Sequence, residues 1–274
     1  MLEPAYDSYI PNIETNGAKA VLVPLSAPSF DVDWNRVKYA VTSKTRAIII
    51  NTPHNPTGAV WTQEDWDKLA EITRRTDIII LSDEVYEQLI FDGKAHYTVM
   101  QHPELRERSF ALYSFGKVFH NTGWKVGYCI APPAFTQAFR RIHQFLCFSV
   151  NTPAQYALAN YLQQKDDMQP IGEVMQQKRD HFLQLLSDTP FTIYRPAGGS
   201  YFQTVSYSRI SDMGDMQFAE WLVKEHGVAT IPVSAFYASK KDDRLIRFCF
   251  AKKAETIEKA VEKLSAISLS HVYQ

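Results

Sequence analysis

DIIILSDEVYE, Asp77 to Glu87, decides the fold. Its first half is a short, nearly continuous apolar run rich in β-branched residues, and its second half turns abruptly polar. A run of this kind marks a strand of a parallel sheet covered on both faces. The flanking segments agree. Upstream, TQEDWDKLAEITRR (62–75) is helical: Thr62 can cap it, Glu64 and Asp65 fall in its first turn, and basic residues close it. Before that helix, RAIIINT (46–52) and AVLVPL (20–25) are strand-like, and beyond the quoted stretch FALYSFG (110–116) and VGYCIAP (126–132) continue the series. Strands alternating with helices predict an α/β fold with a mostly parallel central sheet flanked by helices.

From about residue 134 the pattern becomes helical. AFTQAFRRIHQF and, after the Asn151-Thr152-Pro153 break, AQYALANYLQ carry apolar residues at helical spacing, and a long helix runs from roughly Pro170 to Ser187. The strand-like pieces FTIYRPAGGSYFQTVS, VATIPVS and LIRFCFA then alternate with the helical MQFAEWLVKEHG and AETIEKAVEKLSAI. The expected division is a large domain over 1–162 and a smaller C-terminal α+β domain over 163–274.

Composition excludes several classes. Lys+Arg number 29 against Asp+Glu 30, so no basic excess points to nucleic acid or an anionic membrane. The apolar runs are far too short to span a bilayer, and MLEPAYDSY has no signal-peptide pattern. Cys129, Cys147 and Cys249 are widely spaced in apolar contexts; they read as buried free thiols in a reducing, cytoplasmic compartment. No histidine spacing suggests a metal site.

In open parallel sheets, ligands bind beyond the carboxyl ends of the strands. RAIII ends in NTPHNPTG, with Asn51 and Asn55 in a loop stiffened by Pro53 and Pro56 and closed by Gly58. DIIIL ends in SDEVYE, with Asp83 and Tyr86, and FALY ends in SFGK, with Ser114 and Lys117. Three strand ends thus deliver an amide, a carboxylate, a phenol, a hydroxyl and an amine to one sheet edge. A P-loop is excluded, because Val118 follows Gly116-Lys117 and Ala111 stands where the first glycine is needed. No G-x-G-x-x-G, G-x-S-x-G or H-E-x-x-H is present. What remains is a lysine with an acidic partner. The lysine can form a Schiff base with an aldehyde cofactor, and an aspartate under a pyridine nitrogen keeps that ring protonated. That pair defines a pyridoxal-phosphate site.

NTPHNPTG, SDEVYE, SFGKVFHNTGWKVGY and LIRFCFAKK, in this order, resemble the fold-type I pyridoxal-phosphate aminotransferases of class I/II, in particular their methionine, glutamine and kynurenine branch. The similarity runs from Tyr6 to the C-terminal helix. It implies that Lys117 forms the aldimine and shuttles the proton, and that Asp83 partners the pyridinium. It further implies that Tyr86 and Asn55 bond the ring's 3′ oxygen, and that Ser114 and Lys125 hold the phosphate. Lys125 stands where most of the wider family has arginine, which keeps the charge without the bidentate fork. Arg247 matches the arginine that pairs with the substrate α-carboxylate, Tyr6 an aromatic stacked on the cofactor, and Phe148 an aromatic that reaches a neighbouring subunit. Ser149 replaces a histidine of some kynurenine-type members. The resemblance also implies that family chains begin well before the counterpart of Met1, with an arm, a first strand and a phosphate-binding helix N-terminus. The expected protein is a cytoplasmic homodimer moving an amino group from methionine or an aromatic amino acid to a 2-oxo acid. The alternatives are a catalytically impaired remnant of the family and a kynurenine aminotransferase or cysteine-conjugate β-lyase.

Overall fold

The computed structural model describes residues 1–164 and 170–267. In chain order the elements are β1 (Leu2–Glu3), α1 (Tyr9–Thr15), β2 (Val23–Pro24), α2 (Trp34–Ala40), β3 (Ala47–Asn51), α3 (Gln63–Thr73), β4 (Ile79–Asp83) and β5 (Ser109–Ser114). They continue with α4 (Phe115–Val118), β6 (Gly127–Ile130), α5 (Pro133–Leu146), α6 (Thr152–Gln163), α7 (Ile171–Leu186), β7 (Phe202–Ser206), α8 (Asp215–His226), β8 (Ile231–Pro232), β9 (Leu245–Cys249) and α9 (Ala254–Ser265). Two compact units result. A middle unit comprises Val41–Pro53 and Val60–Glu173; a terminal unit comprises Met1–Ala40, His54–Ala59 and the described residues from Val174 on.

In the middle unit the sheet order is β3-β4-β5-β6. The first three strands are parallel, and β6 runs antiparallel to β5. The reversal has a local cause: α4 is a single helical turn, and the connection after it doubles back at the same end of the sheet. An apolar strand reads the same in either direction, so VGYCIAP carried no sign of this. Gly127 permits the return, because a Cβ there would lie 2.4 Å from Tyr113 O. Between β3 and β4, α3 forms as its sequence predicts. Thr62 Oγ1 accepts from Asp65 N, while Asp65 Oδ2 accepts from Thr62 N at 2.8 Å, closing a capping box. Trp66, Leu69 and Ala70 are its buried face.

Burial alternates along β4 and β5 instead of running continuously. Ile80, Ser82 and Ala111 are buried, while Ile79, Leu81 and Asp83 are half-buried. On the Phe110 side, Phe135 of α5 stacks on that ring at 5.1 Å. α5 is amphipathic yet buries no residue, and Phe145, Leu146 and Phe148 are each more than 80% exposed. Cys147 follows α5 and is exposed, which corrects the expectation of three buried thiols; Cys129 and Cys249 are half-buried, and all three are free. No described helix is long and apolar enough to cross a membrane.

In the terminal unit, β9 lies between β7 and β8, all antiparallel. Val205, Tyr207, Phe218, Leu222, Ile246 and Phe250 form its centre. Tyr207 stacks on Phe218 of α8 with centroids 3.9 Å apart. α8 ends at Gly227 in the left-handed region, the conformation glycine adopts without strain. Of AVLVPL only Val23–Pro24 is strand, paired with β1; Leu25 and Phe30 pack with Val233, Tyr237 and Leu245.

Candidate active site

In the middle unit, β4 ends on Asp83 and β5 on Ser114. The register pairs Asp83 with Leu112. Side chains alternate along a strand, so Asp83, Leu112 and Ser114 share one sheet face. The Asp83 carbonyl accepts from Thr52 N at 3.1 Å and Asn51 Nδ2 at 2.9 Å, which locks the end of β3 to the end of β4. Asp83 Oδ1 accepts from Val85 N at 3.3 Å, fixing the carboxylate within its own turn. Tyr86, one residue on, is 3% exposed.

Ser114 is the N-cap of α4, but its hydroxyl does not cap the helix. Lys117 stands three residues later, on the same side of the turn, and is half-buried. Among the described residues neither side chain makes a hydrogen bond or ion pair. The turn around them is tight: a Cβ on Gly116 would come within 2.9 Å of Thr122 Cα, and Thr122 Oγ1 donates to Gly116 O at 2.9 Å. Lys125 is exposed, with a left-handed backbone, φ 56°. That conformation costs a non-glycine residue on the order of 1 kcal/mol.

The terminal unit carries Tyr6, Asn55 and Arg247. Arg247 sits in β9 opposite Thr204 and Ile231. Its Nη1 donates to Asn55 Oδ1 at 2.5 Å, and its guanidinium lies 3.8 Å from the Phe202 ring centroid and 4.9 Å from that of Phe236. The Asn55 loop is anchored on the same sheet, since Thr204 Oγ1 donates to Pro56 O at 3.0 Å. Its close at Gly58 needs glycine twice over: φ is +71°, and a Cβ would lie 2.5 Å from Ala197 Cβ. Gly198 N and Gly199 N both donate to Gly58 O. Ala5 N donates to Phe236 O at 2.8 Å, so Tyr6, 45% exposed, follows directly on the segment beside Arg247.

His54 links these pieces. It is buried, its Nδ1 lies 2.7 Å from Thr57 Oγ1, and it bonds the Pro4 backbone. Burial lowers its pKa to about 4, with the Pro4 bond opposing. In the middle unit the opposite case occurs at Glu87, whose pKa burial raises to about 7.

The sequence reading did not single out the rings of Phe202 and Phe236 that flank Arg247, nor Glu84. Glu84 is fully buried, at the position that continues the inward parity of Ile80 and Ser82. That parity was the available signal.

The family model described as Aminotransferase class I and II matches residues 1–264. The chain is 44% identical over 263 residues to the methionine aminotransferase of Escherichia coli, covering 96% of this chain and 68% of that one. It is 33% identical over 292 residues to kynurenine–oxoglutarate transaminase 3 of Mus musculus, covering 96% and 64%. The chain therefore spans about two thirds of the length of these relatives. Its structure matches, with TM-score 0.93 and 44% identity, that of an Escherichia coli protein for which a methionine aminotransferase function was identified, over 96% of this chain and 69% of that one. It matches N-succinyldiaminopimelate aminotransferase of Mycobacterium tuberculosis with TM-score 0.90 and 33% identity, over 97% and 70%.

Proposed function

Because the chain belongs to the class I and II aminotransferases, we propose that it moves an amino group from methionine, or another bulky uncharged amino acid, to a 2-oxo acid, with pyridoxal phosphate held at Lys117. The observation that carries the reading is the shared sheet face of Asp83 and Ser114, with Lys117 in the helical turn that Ser114 opens.

Pyridoxal phosphate is the cofactor of this family. The donor set suits it: an amine for its aldehyde, a carboxylate for its ring nitrogen, and a hydroxyl with an ammonium for its phosphate. When bound, it supplies an electron sink for charge developing at the substrate α-carbon. In this reading Asp83 keeps the proton on the ring nitrogen by charge pairing, in the orientation that Val85 N imposes. Lys117 Nζ anchors the aldehyde and then carries the proton on and off the α-carbon. Ser114 Oγ and Lys125 Nζ bind the phosphate. Asn55 and Tyr86 would hydrogen-bond the 3′ oxygen, and Tyr6 would supply an aromatic contact to the cofactor. Arg247 takes the α-carboxylate common to amino acid and oxo acid, a task suited to its planar fork.

The 44% identity to a methionine aminotransferase supports the substrate class. The kynurenine relatives support a second reading in which kynurenine is the preferred donor. The same proposal includes a cytoplasmic homodimer. Free cysteines support a reducing compartment, and the exposed apolar residues of α5 support a partner subunit, which light scattering of the purified chain checks. The substrate test is oxo-acid formation by the purified chain, supplied with pyridoxal phosphate, from methionine, phenylalanine, kynurenine and aspartate. Methionine should exceed aspartate. Kynurenine as best donor selects the second reading, and a clear aspartate preference overturns both.

A further inference from the structure

Glu84 is a carboxylate without any contact to solvent, on the sheet face opposite Asp83. Burying a carboxylate is costly unless hydrogen bonds satisfy it. Four donors do so. Ser82 Oγ donates to Oε1 at 2.8 Å and Val99 N to the same oxygen at 3.0 Å. His96 Nε2 lies 2.7 Å from Oε2, to which Tyr113 Oη also donates at 3.2 Å. Thr98 Oγ1 and Tyr113 Oη are 2.8 Å apart, extending the network. Burial and the Glu84 charge both raise the Tyr113 pKa, so its phenol stays a donor.

The placement of these bonds is specific. Ser82 and Glu84 flank Asp83, so the Ser82–Glu84 bond straddles it. Glu84 N donates to Leu112 O, and Val85 N, the next amide, orients the Asp83 carboxylate. Tyr113 immediately precedes Ser114 and stacks on Tyr128 of β6 at 4.8 Å. One carboxylate thus ties together the ends of β4 and β5 and the segment from His96 to Val99. For stability alone, apolar residues in place of such a network are commonly as good or better. Both Glu84 oxygens are paired, while His96 Nδ1 is buried without a hydrogen-bond partner among the described residues; a carboxylate held by several donors at once is confined to one geometry.

We propose that Glu84, held by His96 and Tyr113, is a positioning residue that sets the Asp83 carboxylate and the Tyr86 turn from the far side of the sheet. The proposal rests on the reading of Asp83 as the ring-nitrogen partner. Glu84 itself does not touch substrate or cofactor.

Glu84→Gln keeps the oxygen that accepts from Ser82 and Val99 and removes the charge. His96→Gln keeps a donor toward Glu84 and serves as the milder variant. Two measurements are made on the full chain. The first, without cofactor, is amide hydrogen exchange through residues 83–87 with α3 as internal control. The second is pyridoxal-phosphate affinity, together with the pH midpoint of the bound cofactor's absorbance. In Glu84→Gln, exchange at Glu84, Val85 and Glu87 should accelerate while α3 is unchanged. The cofactor Kd should rise by at least about tenfold, and the absorbance midpoint should move, as expected for a partner acting through another residue. His96→Gln should move each quantity in the same direction by less. Unchanged exchange overturns the proposal whatever the cofactor does. Faster exchange with unchanged Kd and midpoint reduces Glu84 to a structural role and also overturns it. A wild-type chain that takes up no cofactor refutes the site reading, and the proposal falls with it; the sample that fails distinguishes the two. If Glu84→Gln does not fold, the same outcomes are read from His96→Gln.

Discussion

The two units hold their candidate residues in contrasting states. In the middle unit, the side chains of Ser114 and Lys117 make no hydrogen bond or ion pair among the described residues; backbone alone places them. In the terminal unit, Arg247 is already bonded to Asn55 at 2.5 Å and flanked by Phe202 and Phe236. The difference fits the two roles proposed for Lys117 and Arg247. An amine that forms and breaks a covalent bond must be able to exchange partners. A guanidinium that recognises a carboxylate gains when its orientation is fixed beforehand, because less ordering remains to be done on binding.

The contrast makes its largest prediction at Lys117. Lys117→Ala removes the proposed attachment point and proton carrier, and transamination should fall by at least about 10³-fold. Steady-state kinetics on the refolded or native variant check this, and a loss under tenfold would break the contrast at its strongest point. At Arg247 the prediction concerns binding. Arg247→Ala should raise KM for amino acid and oxo acid alike, by an amount equivalent to about 2–5 kcal/mol. Arg247→Lys should fall in between, since it keeps charge but not the fork. A KM change for only one of the two substrates would remove the α-carboxylate role.

His54 and Glu87, one in each unit, differ in the sign of their response to pH. His54 has a folded pKa of about 4, below its ordinary 6.5. Its contribution is complete above 6.5 and is lost as pH falls toward 4, up to about 3 kcal/mol. Glu87 has a folded pKa of about 7, above its ordinary 4.5. Its contribution is complete below 4.5 and is lost as pH rises through 7, by about 1–2 kcal/mol after allowance for partial exposure. Denaturant unfolding across pH 4 to 8 checks both. His54→Gln should flatten the acid limb, and Glu87→Gln should flatten the limb toward neutrality. Equal slopes in wild type and variant would remove that residue from the account.

Much of this was legible from pattern. The capping box at Thr62, the apolar runs of β3, β4 and β5, and their polar endings stated where the strands stop and which side chains wait there. The terminal groups were legible only as motifs. That residues 1–40 and 54–59 cluster with the C-terminal segment depends on contacts such as Ala5 N to Phe236 O and Thr204 Oγ1 to Pro56 O, which join residues more than a hundred positions apart. The direction of β6 was hidden because hydrophobic alternation has no polarity. Glu84 was hidden because an acidic residue in a polar turn reads as solvated, and only the four donors that converge on it make burial tolerable.

The central claim is that the cofactor is carried by the amine at the end of β5. Borohydride reduction of the chain with pyridoxal phosphate, followed by peptide mapping, tests it without relying on turnover. The account predicts one reduced adduct, on Lys117, that disappears in Lys117→Ala. A stoichiometric adduct on Lys125 or any other lysine, with Lys117 unmodified, would contradict it.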